Sequence, residues 1–108
     1  MEWYHKLYVS DSIADKKVNR IKRKINQNAG TVSVYVITFA SNQENLLDII
    51  PSWVLMQKAY PKKNLTVIGL AKGHEEAVLL VKRIVEETYQ NTGSVDIRSY
   101  LKEKRRLA

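Results

Sequence analysis

The sequence predicts one α/β domain spanning 1–108, a two- or three-layer sandwich on a three- or four-stranded, mainly parallel sheet with three main helices. Three observations carry that expectation. Residues 32–40 (VSVYVITFA) and 65–71 (LTVIGLA) are apolar on both faces, as strands covered on both sides are. Each leads through a polar turn into a segment with acid in its first turn: Ser41-Asn42-Gln43-Glu44 in one case, Lys72-Gly73-His74-Glu75-Glu76 in the other. That alternation builds parallel sheets. The 108 residues are 44% hydrophobic and 27% charged, which suits one ordinary globular core and requires no second domain. The order read is βαβαβα followed by a short C-terminal strand and helix.

Residues 3–9 alternate Trp3, His5, Leu7 and Val9 against Tyr4, Lys6 and Tyr8, the pattern of a half-exposed strand near a sheet edge. Ser10-Asp11-Ser12 offers caps for a helix over 11–28, in which Ala14, Val18, Ile21 and Ile25 share a stripe. Lys16, Arg20 and Arg23 project from its opposite side, Lys17, Lys22 and Lys24 flank it, and Gly30 follows as a stop. Strand 32–40 is the central one, with Val32, Val34, Val36 and Thr38 on one face and Tyr35, Ile37 and Phe39 on the other. Ser41 and Glu44 have capping-box spacing. The helix expected after them is apolar nearly all round: Leu46, Ile49, Ile50, Trp53 and Met56 make one face, and Leu47, Val54 and Leu55 fall outside it. Pro51 should kink or restart it. Residues 60–64 form a turn, and 65–71 the third strand, where Gly69 admits close backbone approach. Gly73 can cap a helix with Ala77, Val78, Leu80, Val81, Ile84, Val85 and Thr88 buried, ended by Gly93 in a left-handed conformation. Residues 95–97 suit a short fourth strand and 98–106 a terminal helix carrying Tyr100 and Leu101.

The net charge is +7, and it is unevenly spread. Residues 1–30 hold seven basic and three acidic groups, 31–71 three and two, and 72–108 eight and six. A basic helix at 16–24 and a basic tail at 102–106 therefore offer a nucleic-acid surface through Lys16, Arg20, Arg23, Lys104, Arg105 and Arg106. No aromatic is interleaved with these charges in the sequence, and no RNP, KH or zinc-finger motif is present.

Cysteine is absent, which removes disulfides, thiolate metal sites and cysteine nucleophiles together. No apolar run approaches the ~20 residues that span a bilayer. Residues 1–10 mix Glu2, His5 and Lys6 with aromatics, unlike a signal peptide, so the cytoplasm is the expected location and a membrane is not an expected partner. Neither a Walker nor a dinucleotide-binding glycine motif occurs, and no cofactor is expected. The two histidines lack metal-ligand spacing: His5 reads as a packed strand histidine and His74 as a surface turn residue. Glu75 with Glu76, and Glu86 with Glu87, are neighbours around a helix rather than facing pairs. No catalytic residue is assigned.

If the strands are parallel, the turns after them gather at one end of the sheet. Asp11, Ser41, Asn42, Lys72, Gly73 and His74 then line a crevice suited to a small polar or anionic ligand. Glu44, Glu75 and Glu76 compete there, since each already places negative charge at a helix start. A helix apolar nearly all round needs deep burial or a partner, and Leu47, Pro51, Val54 and Leu55 are its candidate self-association residues, giving a homodimer. The strings YVITFASNQENLLDIIP and VIGLAKGHEEAVLLVKRIVEETY resemble small uncharacterised bacterial proteins of about this length. The resemblance implies a stand-alone bacterial α/β domain and carries over no site residue. The leading expectation is a non-enzymatic interaction or small-ligand-binding protein that self-associates. A nucleic-acid-binding protein, and a phospholigand binder or enzyme at the strand ends, are the alternatives.

Overall fold

A computed structural model describes residues 1–27, 34–40, 46–57 and 65–107, with side chains through Lys104. Its elements are β1 (Glu2–Val9), α1 (Asp15–Asn26), β2 (Val34–Phe39), β3 (Leu47–Pro51), α2 (Ser52–Leu55), β4 (Thr66–Lys72), α3 (His74–Thr92) and α4 (Ile97–Leu107). The class is α/β as expected, but the sheet is mixed and not mainly parallel. Its four strands run in the order β1-β4-β2-β3. β1 lies parallel to β4, while β2 is antiparallel to both β4 and β3. The βαβαβα order fails at one place, because β3 follows β2 with only residues 40–46 between them. That connection is too short for the crossover a parallel pair needs, so the strands pair antiparallel, Phe39 opposite Leu47 and Tyr35 opposite Pro51.

Both faces of the sheet are covered, which is why β2 and β4 carry apolar residues on both faces. On one face Val34, Val36, Ile50, Val67 and Leu70 meet Ile25 of α1 and Leu55 of α2. On the other, Ile37, Ile68 and Ala71 meet Ala77, Leu80 and Ile84 of α3 and Ile97 and Leu101 of α4. The alternation expected along residues 34–39 holds. Thr38 is fully buried, and among the described residues its hydroxyl has no hydrogen-bond partner. An unpaired buried hydroxyl costs stability, so Thr38→Val should raise the unfolding free energy by about 1 kcal/mol in urea titration. A loss of stability would show that the hydroxyl is satisfied.

The segment expected to be an apolar helix is instead β3 and the single turn α2. Leu55 has no exposed surface, and Leu47 and Val54 are half-buried against opposite clusters. Of the proposed self-association set, Pro51 simply ends β3. The apolar circumference arises because a covered strand is apolar on both faces and runs straight into a buried turn. Trp53 and Leu46, read as part of the helix's apolar face, are 62% and 47% exposed.

β1 is the edge strand predicted, and Gly69 of β4 lets it approach: a Cβ there would stand 3.3 Å from the Tyr8 carbonyl oxygen. Pairing with β4 slips between Trp3 and Tyr8. That irregularity leaves His5 exposed, with its ring edge-on to Tyr4 at 4.7 Å, rather than packed. Gly93 ends α3 at φ 70°. The short strand expected at 95–97 is absent, because Asp96 caps α4 instead, its carboxylate accepting from the Ser99 amide at 3.2 Å. Residues 28–33, 41–45 and 58–64, and with them Gly30, the Ser41–Glu44 capping box and the turn at 60–64, lie outside the described residues.

Candidate functional site

The expected crevice needs three strand ends at one end of the sheet, and the topology supplies two. Because β1 and β4 are parallel neighbours, their last residues interlock: the Ser10 amide donates to the Leu70 carbonyl at 3.0 Å, and the Ser10 hydroxyl accepts from the Lys72 amide at 3.1 Å. Asp11, Lys72, Gly73 and His74 therefore share that end. β2 runs the other way, with its first residue Val34 opposite Lys72, so it finishes at the far end of the sheet. Ser41 and Asn42 follow that finish and lie outside the described residues. Gly73, at φ 86°, opens α3, and the His74 ring meets Tyr35 edge-on at 5.6 Å. The depression beside this end holds about 170 Å³ and is lined by Ser10, Asp11, Glu76, Leu79, Leu80 and Arg83. Lys72 and His74 do not line it, and Asp11 and Glu76 give it carboxylates an anion would avoid.

A second constellation, not anticipated from the sequence, centres on Glu87 of α3. Three donors converge on one carboxylate oxygen: the Tyr8 hydroxyl at 2.5 Å, the Tyr100 hydroxyl at 2.9 Å and the Lys104 ammonium at 3.2 Å. Lys104 also donates to the Tyr8 hydroxyl at 3.2 Å. Burial opposes the charge on Glu87, yet the bonds from Tyr8, Tyr100 and Lys104 outweigh it and hold the carboxyl below the usual glutamate range. Burial, then donation to the carboxylate, pushes the Tyr8 phenol well above its ordinary range and Tyr100 up to about 12. With the Tyr4 hydroxyl donating to the Leu101 carbonyl at 3.1 Å, this cluster fastens α4 to α3 and β1. Tyr8, Tyr100 and Lys104, from two elements, all donate to one carboxylate on a third, so it acts as a clasp. No sequence pattern marks it, because its members come from three elements.

α1 presents a different chemistry. Ile25 is fully buried, Val18 and Ile21 are half-buried, and Lys16, Lys17, Arg20 and Arg23 are exposed, as the helical spacing predicted. Ala14, placed in the stripe by periodicity, is the exposed N-cap. Six basic side chains, Lys16, Lys17, Arg20, Lys22, Arg23 and Lys24, stand in twelve residues against the lone acid Asp15. Among the described residues none of the six is ion-paired; the salt bridge described joins Lys104 to Glu87 on the other face of the sheet. Arg23 and Lys24 in the last turn suit the helix dipole, but Lys16 and Lys17 in the first turn oppose it. Lys16 with Arg20, and Arg20 with Lys24, are like-charge pairs at i,i+4, each costing a few tenths of a kcal/mol.

Of the basic tail, Lys104 does not extend this surface. Lys104 belongs to the Glu87 clasp, on the face opposite α1, and the side chains of Arg105 and Arg106 lie outside the described residues. What the topology does bring to α1 is Trp3, whose indole N–H donates to the Asn26 side-chain oxygen at 3.1 Å and whose ring carries the Lys22 ammonium 5.4 Å from its centre. That neighbour is invisible in the sequence. Comparison with protein-family models, curated proteins and solved structures finds no match, so the surface must be read from its own chemistry. Among the described residues no helix is long and apolar enough to cross a membrane.

Proposed function

We propose that this protein binds nucleic acid through the outer face of α1, holding successive phosphates with Lys16, Arg20 and Arg23. The observation that carries the reading is a row of exposed cations, unpaired among the described residues, in which Lys16 opposes the helix dipole and Arg20 has a like charge four residues away on either side. A solvated surface helix gains from i,i+4 pairs of opposite sign and from acid in its first turn. This one has the acid, Asp15, but forgoes the pairs. A repeating anion takes their place, because each bound phosphate neutralises a cation and releases condensed counterions. The opposite face offers no such field: α3 and α4 mix Glu75, Glu76, Glu86, Glu87 and Glu103, with Asp96 between them, among their basic residues. The reading involves no reaction and no cofactor.

The test is fluorescence anisotropy of a labelled mixed-sequence oligonucleotide, titrated with the full chain over a range of salt. Affinity should fall linearly on logarithmic axes. The triple variant Lys16→Gln, Arg20→Gln, Arg23→Gln should weaken binding by about a hundredfold at low salt and flatten the slope by roughly 2 to 3, one increment for each phosphate that is no longer neutralised. Its stability should hold or rise, since the like-charge pairs are gone. Absence of binding at low salt, or a triple variant with unchanged slope, overturns the proposal.

A further inference from the structure

Resting on that reading, we infer that the preferred ligand is single-stranded nucleic acid, with an unpaired base stacking on Trp3 beside the cation row. Three features of the described structure support this. The first is where Trp3 stands. On a helix of 3.6 residues per turn, Lys22 and Asn26 lie one above the other on the flank of α1 that faces β1, Asn19 falls between that flank and the outer row, and Arg23, three residues before Asn26, is the member of the row nearest to it. A strand held by Lys16, Arg20 and Arg23 thus runs alongside the indole.

The second is how the ring is held. Its N–H is committed to Asn26, which fixes its orientation, and its face carries the Lys22 ammonium, the kind of cover a base can replace. Lys22 then turns to the phosphate of the same nucleotide, so its charge is neutralised as stacking is added. The ring is half-buried, not sealed in the core. The third is the shape of the edge. Pairing of β1 with β4 lapses between Trp3 and Tyr8, and within that interval His5 and Lys6 are exposed. The sheet edge next to Trp3 therefore carries an imidazole and a further ammonium. A base inside a duplex is already stacked and paired and cannot reach an aromatic platform; an unpaired base can, whatever its identity.

Three probes separate the two levels of the claim: a fluorescein-labelled oligothymidylate of fifteen nucleotides, a duplex of the same length, and inorganic polyphosphate as a base-free polyanion. The wild-type chain should bind oligothymidylate at least tenfold more tightly than the duplex at matched salt. Trp3→Ala should weaken oligothymidylate binding about tenfold and leave polyphosphate binding unchanged, in line with the stacking of one base. Trp3→Phe should recover most of the loss. Because removal of the indole also removes packing, a Trp53→Phe chain keeps Trp3 as its single tryptophan, and oligothymidylate should quench that emission while polyphosphate does not. Equal affinity for single strand and duplex, or an unquenched Trp3, overturns the stacking inference and leaves the phosphate surface standing. Failure to bind any of the three probes overturns both.

Discussion

Truncating Leu55 to Ala should lower the unfolding free energy by about 2–5 kcal/mol without changing the sedimentation behaviour of the protein. Leu55 has no exposed surface and packs in the cluster that holds Ile25, Val36 and Leu70. Its removal leaves a cavity that the sheet and α1 cannot close together, so the cost combines lost burial with lost packing. Trp53→Ala, two residues earlier and 62% exposed, should change stability by no more than about 0.5 kcal/mol. The contrast is diagnostic. If the segment were a helix meeting a second copy, Leu55→Ala would shift a monomer–dimer equilibrium and leave the subunit's own stability nearly intact. Urea titration alongside sedimentation equilibrium distinguishes the two.

Breaking the Glu87 clasp should have the next largest effect. Glu87→Gln removes the charge on which two phenols and an ammonium converge, and the expected cost is about 1–3 kcal/mol at neutral pH. The pH dependence follows from the directions of the shifts. The Glu87 carboxyl titrates lower in the folded chain than in the unfolded one, so its contribution is present above the ordinary glutamate range and lost as pH falls through that range and below. Tyr8 and Tyr100 titrate higher when folded, so their contribution is complete below about pH 10 and lost as pH rises beyond it, where unfolded tyrosines ionise first. The wild-type urea midpoint should therefore fall at both extremes. Glu87→Gln should flatten the acid limb, and Tyr8→Phe with Tyr100→Phe the alkaline one. A wild-type acid limb that Glu87→Gln leaves unchanged would show that other carboxylates govern it.

Much of the scaffold is legible in local pattern. Residues 34–39 and 66–72 announce covered strands, the α3 stripe is set out by Ala77, Leu80, Ile84 and Thr88, although Val78, read into it, is exposed, and Gly93 marks the end of that helix. The register of α1 is equally plain. What escapes is pairing. Over 46–56 the spacing of Leu46, Ile49, Ile50, Trp53 and Met56 satisfies a helical period, and five residues of strand are too few to overrule it. Only the hydrogen-bonding partner β2 decides the matter, and no local period records a partner. The antiparallel direction of β2 has the same origin, and it sends the end of that strand away from the turns that follow β1 and β4. The candidate surface divides the same way: Lys16, Arg20 and Arg23 are legible from spacing, whereas Trp3 joins them only through its tertiary neighbours Lys22 and Asn26.

The parallel pairing of β1 with β4 also bears on the order in which the chain folds. The β2–β3 hairpin is closed by a short connection at little cost in loop entropy, whereas β1 joins a strand far downstream, Glu2 opposite Thr66. During synthesis from the amino terminus, the first of this sheet's four strands to be made is thus the last to find its place. Trp3 and the flank of α1 acquire their final arrangement only after β4 exists to receive them, so the surface proposed to hold nucleic acid is absent from the nascent chain and arises with the completed sheet.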